Sequence, residues 1–363
     1  MMKKCLKALY KPVKARMDNY KRKKEIKRLE SKVEKFCNEN NIAPISSDSH
    51  KEICNFWSSI VGYNIKPYYY NMLNCFHFEY PLYQAVNEAI MYPSIIRKLN
   101  PIEPSKVLAN KNLYGVLFKD INRPTEFLRN CNGILLDNDN QLISLSEGID
   151  RIISYGEDVI IKPTIDTYGG HGVKIISNYN REILNDIVKS YGVNYVIQAL
   201  VKQSAQTKKF NPTSLNTFRI ITLLLNGKVT VLSSIFRCGG KNAVVDNASS
   251  GGMFVGIKED GQLTRGTSYS TLIIEESPEG LKYSEHQIEH FERVLDFAKD
   301  LHTRIPLCAF AGWDIALDEN NVPVFMEVNL NCPDVWLMQI LNGPIFKDRF
   351  DEVIEFIKSC KKN

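Results

Sequence analysis

The stretch Gly312-Trp-Asp314-Ile-Ala-Leu-Asp-Glu-Asn-Asn-Val322-Pro-Val-Phe-Met-Glu327-Val-Asn329 places two alternating apolar runs on either side of a polar four-residue segment. That is the pattern of a β-hairpin. With Glu319-Asn320 as a two-residue turn, Asp314 pairs with Phe325. Paired residues share a sheet face, and so do residues two apart on one strand. Asp314, Glu327 and Asn329 then project to one side. Three hard oxygen donors suit Mg2+, which takes few protein ligands and leaves positions for phosphate oxygens. Nucleotide chemistry is therefore the first expectation, and an ordinary exposed hairpin is the alternative.

The rest of the chain weighs between the two. Its 363 residues, 44% hydrophobic and 24% charged, have an ordinary globular composition with room for two or three lobes. Nine cysteines stand singly, with no Cys-x-x-Cys pair. Free thiols in a reducing cytoplasm fit this better than a disulfide framework or a zinc site. No apolar stretch approaches the ~20 residues of a membrane span. The N-terminus is basic but has no apolar core of a secretory signal. Residues 1–36 hold fourteen Lys/Arg against four Asp/Glu, whereas the remainder is net acidic. A basic amphipathic arm suits the anionic inner face of a membrane, and a solvated helix packed by one narrow stripe is the alternative. Nucleic acid is not expected as a partner, because the body is acidic and lacks interleaved basic and aromatic residues.

Along the chain, residues 1–44 read as a basic helical arm. Leu6, Leu9, Tyr10, Val13, Met17 and Tyr20 follow one three-four spacing, and Ile26, Leu29, Val33 and Phe36 a second, with Pro12 as a break or kink. Residues 45–104 read as short helices packed through Tyr, Phe and Trp, ending at a linker marked by Pro101 and Pro104. From Val107 the texture alternates between strand and helix. Strands are expected at 133–136, 159–162, 173–176, 195–199, 218–225, 229–236, 254–257, 309–317 and 322–328. Helices are expected at 111–119, 149–155, 180–190, 284–301 and 346–360. The expected body spans 105–345, with a C-terminal helix in 346–363.

Four elements carry candidate chemistry. Val159-Ile-Ile-Lys162-Pro leads into Asp166-Thr-Tyr-Gly169-Gly170-His171-Gly172-Val. A lysine at a strand end offers a fixed cation to phosphate oxygens, and a glycine-rich hairpin lets backbone N–H groups close on an anion. This is not a Walker loop, since no Gly-Lys-Ser/Thr follows. Next, Tyr195-Val-Ile-Gln198-Ala199-Leu200-Val201 is a strand running into a linker whose backbone suits reading a base edge. Ser214-Leu-Asn-Thr-Phe-Arg219 opens an apolar strand with a guanidinium, either an ion-pair partner or a phosphate clamp. Last, Arg237 precedes Asp246-Asn247-Ala-Ser-Ser-Gly251-Gly252, a loop able to position a substrate.

The order of these parts resembles the ATP-grasp superfamily. The closer resemblance is to the sugar-transfer associated ATP-grasp family, related to alpha-L-glutamate ligases. The phrases Lys-Pro-Thr-Ile-Asp-Thr-Tyr-Gly-Gly-His-Gly-Val, Ser-Leu-Asn-Thr-Phe-Arg-Ile-Ile-Thr and Gly-Trp-Asp-Ile-Ala carry it, and Ala109-Asn-Lys111-Asn112 resembles that family's Asp-Lys-Asn. It covers roughly residues 55–345.

The resemblance implies an α+β architecture, two lobes gripping ATP between antiparallel sheets, with a helical N-terminal region. It implies that Lys111 and Lys162 hold the α- and β-phosphates and that Gly169, Gly170, His171 and Gly172 cover them. Gln198, Ala199, Leu200 and Val201 would line adenine, Arg219 would meet the γ-phosphate, Asn247 would serve the substrate loop, and Asp314, Glu327 and Asn329 would bind two Mg2+. Three departures stand out: Ala199 where the linker often carries an acid, His171 where a basic residue is common, and Leu-Asn-Cys-Pro after Asn329 where glycine is usual. The implied activity is an ATP-dependent carboxylate–amine ligase working through an acyl phosphate, on a small-molecule or glycan-linked acceptor of cell-surface polysaccharide synthesis. A sugar or polyol kinase on the same fold and a non-catalytic nucleotide-binding module are the alternatives.

Overall fold

The computed structural model describes residues 23–24, 26–76, 78–165, 171–241, 251–331, 333 and 335–360. These fall into two compact units. One is continuous, from Asn100 to Pro333. The other combines the described residues before Asn100 with those after Pro333. The sequence reading divides the chain instead after 104 and after 345.

The unit with both chain ends is helical. Residues 26–39 form a helix whose stripe Leu29, Val33 and Phe36 is buried. The expected helix over 1–22 lies outside the described residues. Ser47–Val61 begins at Ser46, whose hydroxyl accepts the Ser49 N–H, and ends at Gly62 in the left-handed region, φ 79°. Tyr68–Asn74 and Met91–Ile96 follow, and Val335–Asn342 and Phe350–Ser359 complete the set. Trp57, Tyr69, Tyr70 and Trp336 are fully buried, so the aromatic-rich stretch is core. Val335–Asn342 has no counterpart in the sequence reading. It is apolar all round, so it shows no amphipathic period, and seven of its residues are buried.

The continuous unit holds two antiparallel sheets. The smaller is built from β1 (Glu126–Cys131), β2 (Ile134–Leu136), β3 (Val159–Pro163), β4 (Lys174–Ile176) and β5 (Tyr195–Ala199), in the order β2-β1-β5-β3-β4. The larger contains β6 (Thr217–Leu225), β7 (Lys228–Cys238), β8 (Met253–Ile257), β9 (Leu263–Thr267), β10 (Phe310–Leu317) and β11 (Pro323–Asn329), in the order β11-β10-β6-β7-β8-β9. Each sheet buries one face. Leu128, Ile161 and Ile197 of the smaller sheet share a core with Ile149 and Ile152 of helix Leu145–Tyr155 and with Leu184 and Val188 of helix Arg181–Tyr191. Phe218, Ile220, Phe236, Trp313, Ile315 and Phe325 of the larger share one with Val294, Ala298 and Leu301 of helix Phe291–Thr303. The opposite faces carry the polar residues described below.

Strands β1 and β9 are absent from the sequence reading. Glu-Phe-Leu-Arg-Asn-Cys and Leu-Thr-Arg-Gly-Thr lack a clean apolar alternation, and β1 buries charged and amide side chains. The expected helix 111–119 is a 3-10 turn, Lys111–Leu113, followed by Tyr114–Leu117.

The hairpin that opened the sequence reading forms with a different register. Asp318 accepts the N–H groups of Asn320 and Val322 at 2.9 Å each and donates its own N–H to the Val322 carbonyl at 3.0 Å. The loop is therefore three residues, 319–321, closed by Asn321 at φ 61°. Ile315 pairs with Phe325, and a bulge at Met326 then sets Asp314 opposite Glu327 instead of Phe325. Phe325 turns to the core, and Glu327 and Asn329 join Asp314 on the other face.

Candidate active site

On the polar face of the larger sheet, Asp314 has Glu327 as its neighbour on one side and Arg219 on the other. Arg219 pairs across β6 and β7 with Ile235, so Arg237, two residues on, shares the face. Asp314, Arg219 and Arg237 are drawn together. Asp314 accepts from Nε of Arg219 at Oδ1, and from Nη2 of Arg219 at 3.0 Å and Nη1 of Arg237 at 2.9 Å at Oδ2. Nη1 of Arg219 donates to the carbonyl of Pro333 at 3.0 Å. Gly312 makes room for this: a Cβ there would lie 2.7 Å from Cβ of Pro333. Nδ2 of Asn329 reaches Oδ2 of Asp314 at 3.5 Å. Burial pushes the Asp314 carboxyl up, but the attraction of Arg219 and Arg237 outweighs it and holds the group below its ordinary value.

On the smaller sheet, the cross-strand rows Arg129–Val196–Lys162 and Glu126–Gln198–Ile160 share one face. Glu126 reaches it because the β1 ladder shifts register between Glu126 and Leu128. That bulge sends Phe127 and Leu128 to the core and turns the carboxylate outward. Nη1 of Arg123 donates to it at 2.8 Å and Nη1 of Arg129 at 2.7 Å. Lys111 enters from the loop before Tyr114. Asn110 caps that turn by accepting the Asn112 N–H at 3.0 Å, and the Lys111 N–H donates to the Thr164 carbonyl at 3.2 Å. Nζ of Lys111 lies 2.9 Å from Oε1 of Glu327, so an ion pair ties this turn to β11.

Lys162 is different. Its ammonium group has no hydrogen-bond or ion-pair partner among the described residues. Burial, reinforced by the nearby charge of Lys111, pushes its ammonium group down to about 8, against the weaker opposing pull of Glu327 and Glu126. A small cleft, open to solvent, lies here. Lys111, Arg123 and Lys162 line it against one carboxylate, Glu126, so its wall is net positive. Gln198, Phe325 and Met326 also line it.

The structure thus brings Lys111, Lys162 and Gln198 to one cleft, ties Glu327 to it through the ion pair with Lys111, and gathers Arg219, Asp314 and Asn329 on the larger sheet's polar face. Arg219 stands with the carboxylate cluster and not with the two lysines. Ala199, Leu200 and Val201 are partly buried where β5 ends, and the Ala199 N–H is taken by the Thr125 carbonyl at 2.9 Å. His171 is exposed, and Gly172, at φ 73°, accepts the Tyr191 hydroxyl at 2.7 Å. Gly169, Gly170 and Asn247 lie outside the described residues. Sequence reasoning assigned no role to Arg123, Glu126 and Arg129, and named Arg237 only as the start of a loop. Arg-Pro-Thr-Glu carries no periodic signal, and the bulge that aims Glu126 leaves none.

The donor set fits a divalent cation. Two carboxylates and an amide on one face are oxygen donors of the kind Mg2+ takes, and here both Asp314 oxygens are held by Arg219 and Arg237 and Oε1 of Glu327 by Lys111.

Solved structures that resemble this chain include an L-amino acid ligase from Bacillus licheniformis (13% identity, 67% of this chain and 47% of that one, TM-score 0.38). Another is D-alanyl-alanine synthetase A from Vibrio cholerae (14%, 70% and 65%, 0.42). A third is biotin carboxylase from Campylobacter jejuni (10%, 69% and 46%, 0.44). The matched part spans about half to two thirds of each of those proteins. No curated protein matches the sequence. The family model for sugar-transfer associated ATP-grasp matches residues 91–355, nearly three quarters of the chain and the whole of the two-sheet unit. The chain belongs to the sugar-transfer associated ATP-grasp family.

Proposed function

We propose that the protein is an ATP- and Mg2+-dependent carboxylate–amine ligase. The observation that carries this reading is the Lys162 ammonium, unpartnered among the described residues, in a positive cleft joined, through the Lys111–Glu327 pair, to the Asp314, Glu327 and Asn329 donors. Lys162 and Lys111 are the anion grips for the nucleotide phosphates. Ile160, on the same face as Lys162, and Met326, at the bulge, offer apolar surface to the base beside Gln198. Asp314, Glu327 and Asn329 would hold Mg2+, which supplies charge neutralisation on the transferred phosphoryl group when bound. Arg219 and Arg237 keep Asp314 ionised, the form a cation requires.

In the reaction, a carboxylate oxygen of one substrate attacks the γ-phosphorus, and the bond to the β-phosphate oxygen breaks, releasing ADP and leaving an acyl phosphate. An amine then attacks the acyl carbon, inorganic phosphate departs, and an amide forms. No protein nucleophile takes part. The work of the chain is positioning and electrostatic stabilisation.

The acceptor class is a carboxylate carried on a sugar, in keeping with the sugar-transfer association of the family. The basic residues 1–36 supply a peripheral contact with anionic lipid at the cytoplasmic membrane face. Among the described residues no helix is long and apolar enough to cross a membrane.

The test is ADP release by the full chain with candidate carboxylates and amines, and the mass of the product. An amide supports ligation, and a phosphate ester assigns the chain to a kinase instead. Asp314→Asn should lower turnover by at least 100-fold while leaving the thermal transition in place. Retained turnover in that variant would remove Asp314 from the site.

A further inference from the structure

Lys111 and Lys162 are like charges from distant parts of the chain, yet they serve one cleft. Something must hold them against their repulsion. The Lys111 N–H donates to the Thr164 carbonyl at 3.2 Å, and the Thr164 N–H donates to the Asn194 carbonyl at 2.8 Å. Thr164 is two residues past Lys162, so this backbone chain sets the spacing of both lysines. Asn194 in turn is anchored through its side chain. Its Oδ1 accepts from Nδ2 of Asn112 at 3.4 Å and from the Asn132 N–H at 3.2 Å, and its Nδ2 donates to Oδ1 of Asn132 at 2.9 Å. Asn112 directly follows Lys111. Asn132 closes the β1–β2 turn. Asn132 and Asn194 sit in the left-handed region, at φ 51° and 60°, where asparagine is among the few side chains tolerated.

We propose that Asn194 is a positioning residue of the anion site: a four-bond hub that ties the Lys111 turn, the end of β3 and the β1–β2 turn together and fixes the separation of the two lysines. The proposal rests on the nucleotide reading of the cleft. Asn194 itself touches no substrate. It acts through the two grips, so its loss should appear in nucleotide affinity before it appears in the chemical step.

The test uses the full chain, ATP with Mg2+, titration calorimetry and steady-state ADP release. Asn194→Gly keeps the positive φ and deletes the side-chain bonds. Its affinity for ATP should fall about tenfold, the scale of one or two lost hydrogen bonds. Its kcat at saturating ATP should fall less than its affinity. Asn112→Ala should weaken ATP in the same direction. The double variant should be no weaker than Asn194→Gly alone, because both lie on one path. Unchanged ATP affinity in Asn194→Gly, a loss confined to kcat, or fully multiplicative effects in the double variant would each overturn the positioning role. Should Asn194→Gly lose its circular dichroism signal, Asn112→Ala decides: normal affinity there overturns the hub. Wild-type protein that takes up no ATP at all refutes the nucleotide reading instead, and that measurement comes first.

Discussion

The buried ammonium group at the end of β3 pairs with no carboxylate among the described residues and is held at an energetic disadvantage. Lys111, in the same cleft, has Glu327 at 2.9 Å, and Lys162 has only longer-range attraction. Its folded value of about 8 lies below the ordinary lysine value of 10.5. Between those limits the unfolded chain keeps a proton that the folded chain has lost. Stability therefore rises with pH across roughly 8 to 10.5, and below pH 8 the burial penalty is present in full. Its scale is on the order of 1–3 kcal/mol. Lys162→Met should make the ligand-free protein more stable at pH 7, flatten the rise between pH 8 and 10.5, and weaken ATP binding by at least tenfold. Denaturant unfolding at a series of pH values and calorimetric titration would check both halves. A variant less stable than wild type at pH 7 would mean that an anion within the protein already neutralises Lys162. This residue was legible in the sequence because a strand-ending lysine before a glycine-rich loop has local form. Glu126, two strands across the sheet on the same face, was not, because its direction depends on a ladder irregularity formed with a strand some seventy residues later.

At the scale of elements, both cleft faces are aimed by bulges. The shift in β1 turns Glu126 out, and the one at Met326 lets Phe325 stay in the core while Glu327 faces Asp314. A strictly alternating β11 would put Phe325 and Glu327 on the same side, and one of the two would be misplaced. The hairpin was therefore readable from its apolar alternation, and so was the shared face of Asp314, Glu327 and Asn329. Their pairing was not readable, since a three-residue loop and a bulge each move the register. The close approach behind Gly312 was equally hidden. A Cβ added there would lie 2.7 Å from Cβ of Pro333 and 3.2 Å from Cδ1 of Ile221, neither of which can swing aside like a long polar side chain. Gly312→Ala should displace Pro333, lengthen the Arg219 bond to its carbonyl, and destabilise the protein by about 1–3 kcal/mol. Turnover should fall with it, because Arg219 holds Asp314. Thermal unfolding beside ADP release would show this, and a variant within about 0.5 kcal/mol of wild type would mean the Pro333 segment yields freely.

At the scale of the molecule, the chain leaves its first unit at Asn100 and returns to it after Pro333. Trp336 meets Phe36 edge-on at 5.7 Å and accepts the Tyr69 hydroxyl at its carbonyl, 3.3 Å away. Gln339, wholly buried, accepts the Val86 N–H at 3.0 Å and donates to the Val86 carbonyl at 2.9 Å. Phe350 stacks on Phe56 at 5.6 Å. The C-terminal segment is thus core of a unit whose other half lies hundreds of residues earlier, which a boundary drawn from linker composition does not show. Each buried aromatic side chain removed from such a core costs about 3–5 kcal/mol, and an unpaired Val86 amide adds to that. A chain ending at Pro333 should therefore lose the helices before Asn100, although none of their own residues is missing. Helical circular dichroism should drop by more than the deleted residues account for, and limited proteolysis should trim the truncated chain to a fragment starting near residue 100. The cleft residues from Lys111 to Asn329 all belong to the continuous unit, so that fragment should still bind ATP. If the truncated chain kept protease-resistant N-terminal helices, Trp336 and Gln339 would be passengers of that core and not its centre.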